Sequence, residues 1–202
     1  NKHGLHKKDA YKNINTEILD AFDRLSKVFD PNINYNIGYK TPDFSDLDSV
    51  INMENGALSN YSKEFLAITE RVIPFKDITD DTIVNIEFIK KYNEVNLLCE
   101  NLDLESSKSC FTVALVPENF EEIDKLDTIL NLHIPKSIII PFKYIGKTST
   151  LTDKISILTL YSGVGLNTKL VKLIKNLKSS KNKKDKILGK KNEKSKEVFD
   201  ML

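Results

Sequence analysis

Tryptophan is absent from this chain, cysteine and methionine occur twice each, histidine three times, and glycine only seven times in 202 residues. Enzymes that cradle phosphates or cofactors lean on glycine-rich turns and titrating side chains. Seven glycines, against roughly 7% in an average protein, and only His3, His6 and His133 lower the expectation of an enzyme. Cys99 and Cys110 cannot build a disulfide framework, and no Cys/His spacing fits a zinc site. Reducing, cytosolic or nuclear conditions are the expectation; one disulfide across a hairpin between the two cysteines is the alternative. No run approaches the roughly 18 apolar residues of a membrane helix, and the densest, 134–140, is broken by Pro135 and Lys136. No membrane insertion, metal or cofactor is expected. The first residue is Asn, so the chain reads as a piece or a trimmed product, and the lack of a signal peptide carries little weight.

What is there is ordinary in bulk and lopsided in charge. Hydrophobic residues make up 40% and charged residues 29%, as in a globular protein. The net charge of +1 divides unevenly: residues 169–202 carry twelve lysines against four acids, a net of +8, which leaves −7 for the rest. The chain is therefore an acidic body with a basic tail.

Apolar spacing predicts a helix over 9–29, with Ile14, Ile18, Phe22, Leu25 and Phe29 on one stripe and Asp30-Pro31 ending it. Residues 31–47 read as a loop. A second helix is expected over 60–73, with Phe65, Leu66, Ala67, Ile68 and Val72 buried and Pro74 as the stop. Thr79-Asp80-Asp81 reads as a helix start, giving a helix to about Asn93 and a strand near Val95–Leu98. The sheet is expected in 110–161. Strands at 110–116, Ser137–Ile145 and Lys154–Tyr161 surround an acidic amphipathic helix at 118–131. Pro141 inside a strand argues for a sheet edge or a bulge. A closing helix at about Leu166–Leu177 precedes a solvated tail.

Ser162-Gly163-Val164-Gly165-Leu166-Asn167-Thr168-Lys169 falls between an expected strand and an expected helix. Backbone amides of Gly163 and Gly165, with Thr168 and Lys169, form a candidate anion site there. Leu160–Gly165 resembles the first glycine motif of some methyltransferases that use S-adenosylmethionine. That family opens a long doubly wound domain with it, whereas few residues come after it here, and neither a third glycine nor a P-loop ending is present. An ordinary strand-to-helix turn is the favoured reading.

The tail carries Lys181, Lys183, Lys184, Lys186, Lys190 and Lys191, which fit a localisation signal or a phosphate clamp without base readout. A solubilising tail is the plainer reading. Glu118, Glu121, Glu122 and Asp124 make an acidic surface, solvated or facing a basic partner. Asp43, Asp46 and Asp48 lack calcium-loop spacing and read as turn and capping residues. His133 reads as a cation at a helix end.

The fold class expected is α+β: N-terminal helices (1–105), then a small antiparallel or mixed sheet with packed helices (106–178), then a disordered lysine-rich tail (179–202). The leading functional expectation is a non-catalytic protein–protein interaction module, with a protein partner or a homo-oligomer, intracellular and nuclear rather than cytoplasmic. The alternatives are a nuclear nucleic-acid-associated protein that uses the tail, and an enzyme with an anion site at Gly163–Lys169.

Overall fold

In the computed structural model the described residues are 7–35, 40–52, 65–98 and 102–166. Contacts divide the chain into residues 1–165 and 166–202, and the sheet with its helices makes up the first unit. The lysine tail and the expected helix after Leu166 lie outside the described residues.

The architecture is mixed helix and sheet, as expected. Its centre is a six-stranded sheet: β1 (Phe65–Pro74), β2 (Glu94–Leu98), β3 (Leu102–Asp103), β4 (Ser109–Pro117), β5 (Ile140–Thr148) and β6 (Lys154–Leu166). The order is β2-β1-β6-β4-β5, with β3 paired to β6 off that path. All described ladders are antiparallel except β4·β5. A parallel pair needs a crossover, and α4 (Ile123–His133) supplies it. The sheet therefore has two distinct ends. β4 leaves the first at Ser109 and reaches the second at Pro117; α4 returns, and β5 runs out again from Ile140.

Helices cover both faces. α1 (Lys7–Ser26) and α2 (Phe44–Ile51) lie on one. There Ala21, Leu25 and Val28 meet Ile68, Phe111, Val113, Tyr144, Leu158 and Leu160. On the other, α3 (Ile86–Lys90) and α4 bring Phe88, Ile89, Leu126, Ile129 and Leu130 against Ile73, Ala114, Val116, Ile145, Ile155 and Ile157. Strand parity sorts the two cores: in β1 Ala67 and Ile73 face α4 while Ile68 faces α1.

Several elements differ from expectation. The helix foreseen over 60–73 is strand β1 where it is described. Ile68, Thr69, Val72 and Ile73 are β-branched, and partners on both sides complete the backbone bonds that a helix would have kept local. The loop foreseen at 31–47 ends in α2, whose N-cap is Asp43: its carboxylate accepts from Asp46 N at 2.9 Å. The capping role read for the Asp43 cluster holds, and the bonds to Ser45 and Asp46 lower the Asp43 pKa. Thr79-Asp80-Asp81 starts no helix; Asn85 caps the five-residue α3 instead, accepting from Phe88 N at 2.9 Å. The strand near Val95–Leu98 is β2. The buried stripe is Ala21 and Leu25 of α1 with Val28 in the 3-10 turn (Lys27–Phe29) that follows it, and Phe22 is turned to solvent. β5 is an edge strand, as Pro141 indicated.

Candidate functional site

Polar side chains collect on the α4 face of the sheet, in the middle of an apolar layer. Thr69 and Arg71 come from β1, Glu94 from β2, Thr112 from β4, Thr159 and Tyr161 from β6, and His133 from the last turn of α4. Glu94 organises them. Its carboxylate accepts from Thr69 Oγ1 at 2.6 Å, Arg71 Nη2 at 3.0 Å and Tyr161 OH at 3.2 Å. Arg71 also donates to the Ile89 carbonyl at 3.0 Å, which ties α3 to the sheet. His133 Nε2 lies 3.0 Å from Thr159 Oγ1 and 3.2 Å from Tyr161 OH. Thr159 donates onward to Thr112 at 3.2 Å and Tyr161 to Glu94, so both turn lone pairs toward the ring. The proton therefore sits on Nε2, and Nδ1 is buried without a partner among the described residues.

Burial sets the charges of this cluster. Desolvation lowers the His133 pKa to about 4; the nearby Glu94 carboxylate opposes that and Arg71 adds to it. His133 is thus neutral at physiological pH, not the helix-end cation foreseen. Burial, with Glu94 beside it, raises the Tyr161 phenol well above its ordinary range. Cys110 is a free, buried thiol raised to about 11 by burial, so it is protonated and a poor nucleophile. The cluster holds acid–base residue types, but each is locked to its neighbours. Among the described residues its chemistry is structural: it fixes the C-terminus of α4 over β6. Sequence reading missed it, because Thr69, Arg71, Glu94, His133 and Tyr161 are far apart along the chain. The only local signal was polar residues at alternate positions within apolar strands.

The two ends of the sheet differ in chemistry. At the end where α4 begins, Asp80, Glu121 and Glu122 gather, and Ile83 is 79% exposed on the loop into α3. The Glu122 carboxyl is raised by a hydrogen bond with Asp80; Lys125, 3.8 Å away, partly offsets it. Beside them Pro74, Phe75, Lys76, Ile78, Thr79, Thr152 and Asp153 line an open cleft of about 620 Å³ that is mainly apolar, with Lys76 and Asp153 as its charged residues. At the end where α4 stops, a turn over 135–138 carries Lys136 to the surface, followed by Ile139 at 64% exposed. Lys108 joins that corner: Ile139 N donates to its carbonyl at 2.8 Å. Asp103 and Glu105 lie in the segment before β4, so the basic character belongs to the Lys108–Lys136–Ile139 corner alone.

The residues foreseen as sites fall as follows. Glu118, Glu121 and Glu122 precede α4 and only Asp124 lies in its first turn, so they crowd one end of the sheet and do not form one helix face. Gly163 and Gly165 are not at a strand-to-helix turn. β6 continues through them to Leu166, with Val164 paired to Phe65, and Gly165 N donates to Ser106 Oγ at 2.6 Å. Gly163 has φ of 73°, and a Cβ on Gly165 would come 2.9 Å from Ser106 Oγ. The glycines serve the strand, and the Gly165 amide is not free for an anion. Thr168, Lys169 and all six tail lysines lie outside the described residues. No helix of the described residues is long and apolar enough to cross a membrane.

No protein-family model matches the sequence, and no curated protein matches it. Solved structures do. TubZ from Bacillus thuringiensis serovar israelensis, solved as GDP-form protofilaments, shares 17% identity over 88% of this chain and 43% of that one, with a TM-score of 0.46. CetZ from Methanosaeta thermophila shares 17% over 96% and 49%, with a TM-score of 0.45. An FtsZ dimer from M. jannaschii shares 13% over 83% and 46%, with a TM-score of 0.44. The chain spans less than half the length of each. The TubZ neighbours were solved as protofilaments and as a two-stranded filament, and the FtsZ neighbour as a dimer. Against that finding the expected non-catalytic scaffold module is withdrawn. The nuclear placement, and the reading of the tail as a nuclear phosphate clamp, go with it. The homo-oligomer, one of the two partner kinds foreseen, is the state in which TubZ and FtsZ were solved, as protofilaments and as a dimer.

Proposed function

We propose that this chain is an assembly domain that associates head to tail with copies of itself into an open, linear polymer. The carrying observation is the placement of Ile83 and Ile139. Two large apolar side chains stand 79% and 64% exposed, Ile83 on the loop that follows β1 and Ile139 just before β5; the nine-residue strand β4 between those ends of the sheet spans roughly 27 Å at about 3.3 Å per residue. A patch matched to a different patch on the far side of the same molecule makes a heterologous contact, and such contacts propagate when the rotation does not close a ring. Local charge supports this reading, because the end where α4 begins carries Asp80, Glu121 and Glu122, and the Ile139 corner carries Lys108 and Lys136.

The β5 edge of the sheet disfavours side-by-side growth there. Lys147 on β5 exchanges two 2.9 Å backbone bonds with Asn34, so odd-numbered residues of that strand turn their backbone groups outward. Pro141 is one of them and has no N–H to offer.

Sedimentation velocity across a concentration series tests the proposal, run without nucleotide and with GTP or GDP, the arm suggested by the GDP form of TubZ. The expected result is a ladder of species that lengthens with concentration in at least one condition. Ile83→Asp and Ile139→Asp should each reduce it to monomer while leaving the circular dichroism unchanged. A monomer under every condition, or a dimer that never grows, overturns the reading.

A further inference from the structure

The two ends carry matching pairs of features. On one, an apolar cleft lies beside a pair of carboxyls: Phe75, in the cleft, packs on Phe120 with ring centroids 5.3 Å apart. Phe120 stands two residues before Glu122, and Ile78, also in the cleft, stands two residues before Asp80. On the other end an apolar side chain lies beside an ammonium: Ile139 follows Lys136 by three residues through one tight turn, closed by Ile138 N donating to Pro135 O at 3.1 Å. Hole and acid face one way, knob and base the other.

We infer that, in the head-to-tail contact on which this inference rests, Ile139 of one copy seats in the cleft lined by Phe75 and Ile78 of the next, and Lys136 meets the Asp80–Glu122 carboxyl pair. The occupant is a second copy of this chain because the complement of each feature is found on this chain's own opposite end. The Asp80–Glu122 pair is joined by a hydrogen bond that raises the Glu122 carboxyl; Lys125 offsets it in part and Lys76 lines the adjoining cleft, so an arriving ammonium finds two carboxyls side by side. Burying the isoleucine excludes water from that ion pair and strengthens it. α4 links the two features: its N-terminus carries Glu122 and its C-terminus leads into the Lys136 turn. The spacing of the interface is therefore written into one helix and its anchorage on the sheet.

Charge reversal tests the pairing. Lys136→Glu makes the basic corner acidic; Glu122→Lys makes the acidic end basic. Lys136 is exposed and the Glu122 side chain is 26% exposed, so circular dichroism is checked for each variant; each alone should lose at least tenfold in association when followed by sedimentation velocity. Mixed in equal amounts, the two should assemble again, because each then finds its complement only on the other. The chain carrying both reversals should assemble by itself. If the wild-type chain assembles and the mixture stays monomeric, this docking is wrong while the head-to-tail reading stands. If the wild-type chain never assembles, both fall.

Discussion

His133 shows how one residue can be mistaken from its position. At the end of a helix it reads as a cation serving the dipole, yet it is buried and neutral, with its proton on Nε2. Its folded pKa is about 4 against an ordinary 6.5. The unfolded chain therefore binds a proton that the folded chain refuses between those values. The stability this neutral ring provides is fully present above about pH 6.5 and is lost as pH falls toward 4. The span is worth about 3 kcal/mol at 1.36 kcal/mol per unit. Urea midpoints measured from pH 7 to pH 4 should fall steeply in the wild-type chain. His133→Gln, which can still donate to Thr159 but does not titrate, should be less stable at pH 7 and show a visibly flatter slope. Equal slopes in the two proteins would remove His133 from the explanation.

At the scale of elements, the parts legible in the sequence were those whose apolar pattern is local. Helix α1, the strand at 110–116, the acidic helix near 118–131 and the short strand near Val95 all stand close to where periodicity placed them. β1 was misread because a strand buried on both faces loses clean alternation, and Leu66-Ala67-Ile68 suits either period. β6 was cut short at Tyr161 because paired glycines usually punctuate, whereas here Gly165 packs against Ser106 and Gly163 takes a φ of 73° within the strand. The polar cluster could not be read at all, since it exists only once β1, β2, β6 and α4 are side by side. Pro141 was the most informative single residue: it foretold an edge. It also makes the edge testable. Pro141→Val adds an outward N–H and a β-branched residue to a strand whose free stretch is short, and should turn end-on assembly toward sheet-edge association. Thioflavin T fluorescence should rise in the variant and stay at baseline in the wild-type chain. A variant as unreactive as the wild type would mean that Asn34 alone protects the edge.

For the whole molecule, the question is whether charge or apolar contact carries the assembly. The −7 of the body is not spread evenly, because the α4 N-terminal end is acidic and the opposite corner basic. Such a dipole orients copies before they touch, and salt screens it: the Debye length falls from about 10 Å at 0.1 M to about 3 Å at 1 M. Exposed ion pairs contribute about 0.2–1 kcal/mol each, so a contact with one lysine on two carboxyls should lose about 1 kcal/mol when screened. That is about a fivefold weaker association constant, since 1.4 kcal/mol is tenfold. The seated isoleucine is unaffected by simple salt and sets the floor. Association measured by sedimentation from 0.05 M to 1 M sodium chloride should therefore fall by several-fold and then level off. In Lys136→Glu the same salt should strengthen association, because it screens a repulsion. If salt had no effect on the wild type and none on the variant, the charged corners would be bystanders and the contact would be apolar alone.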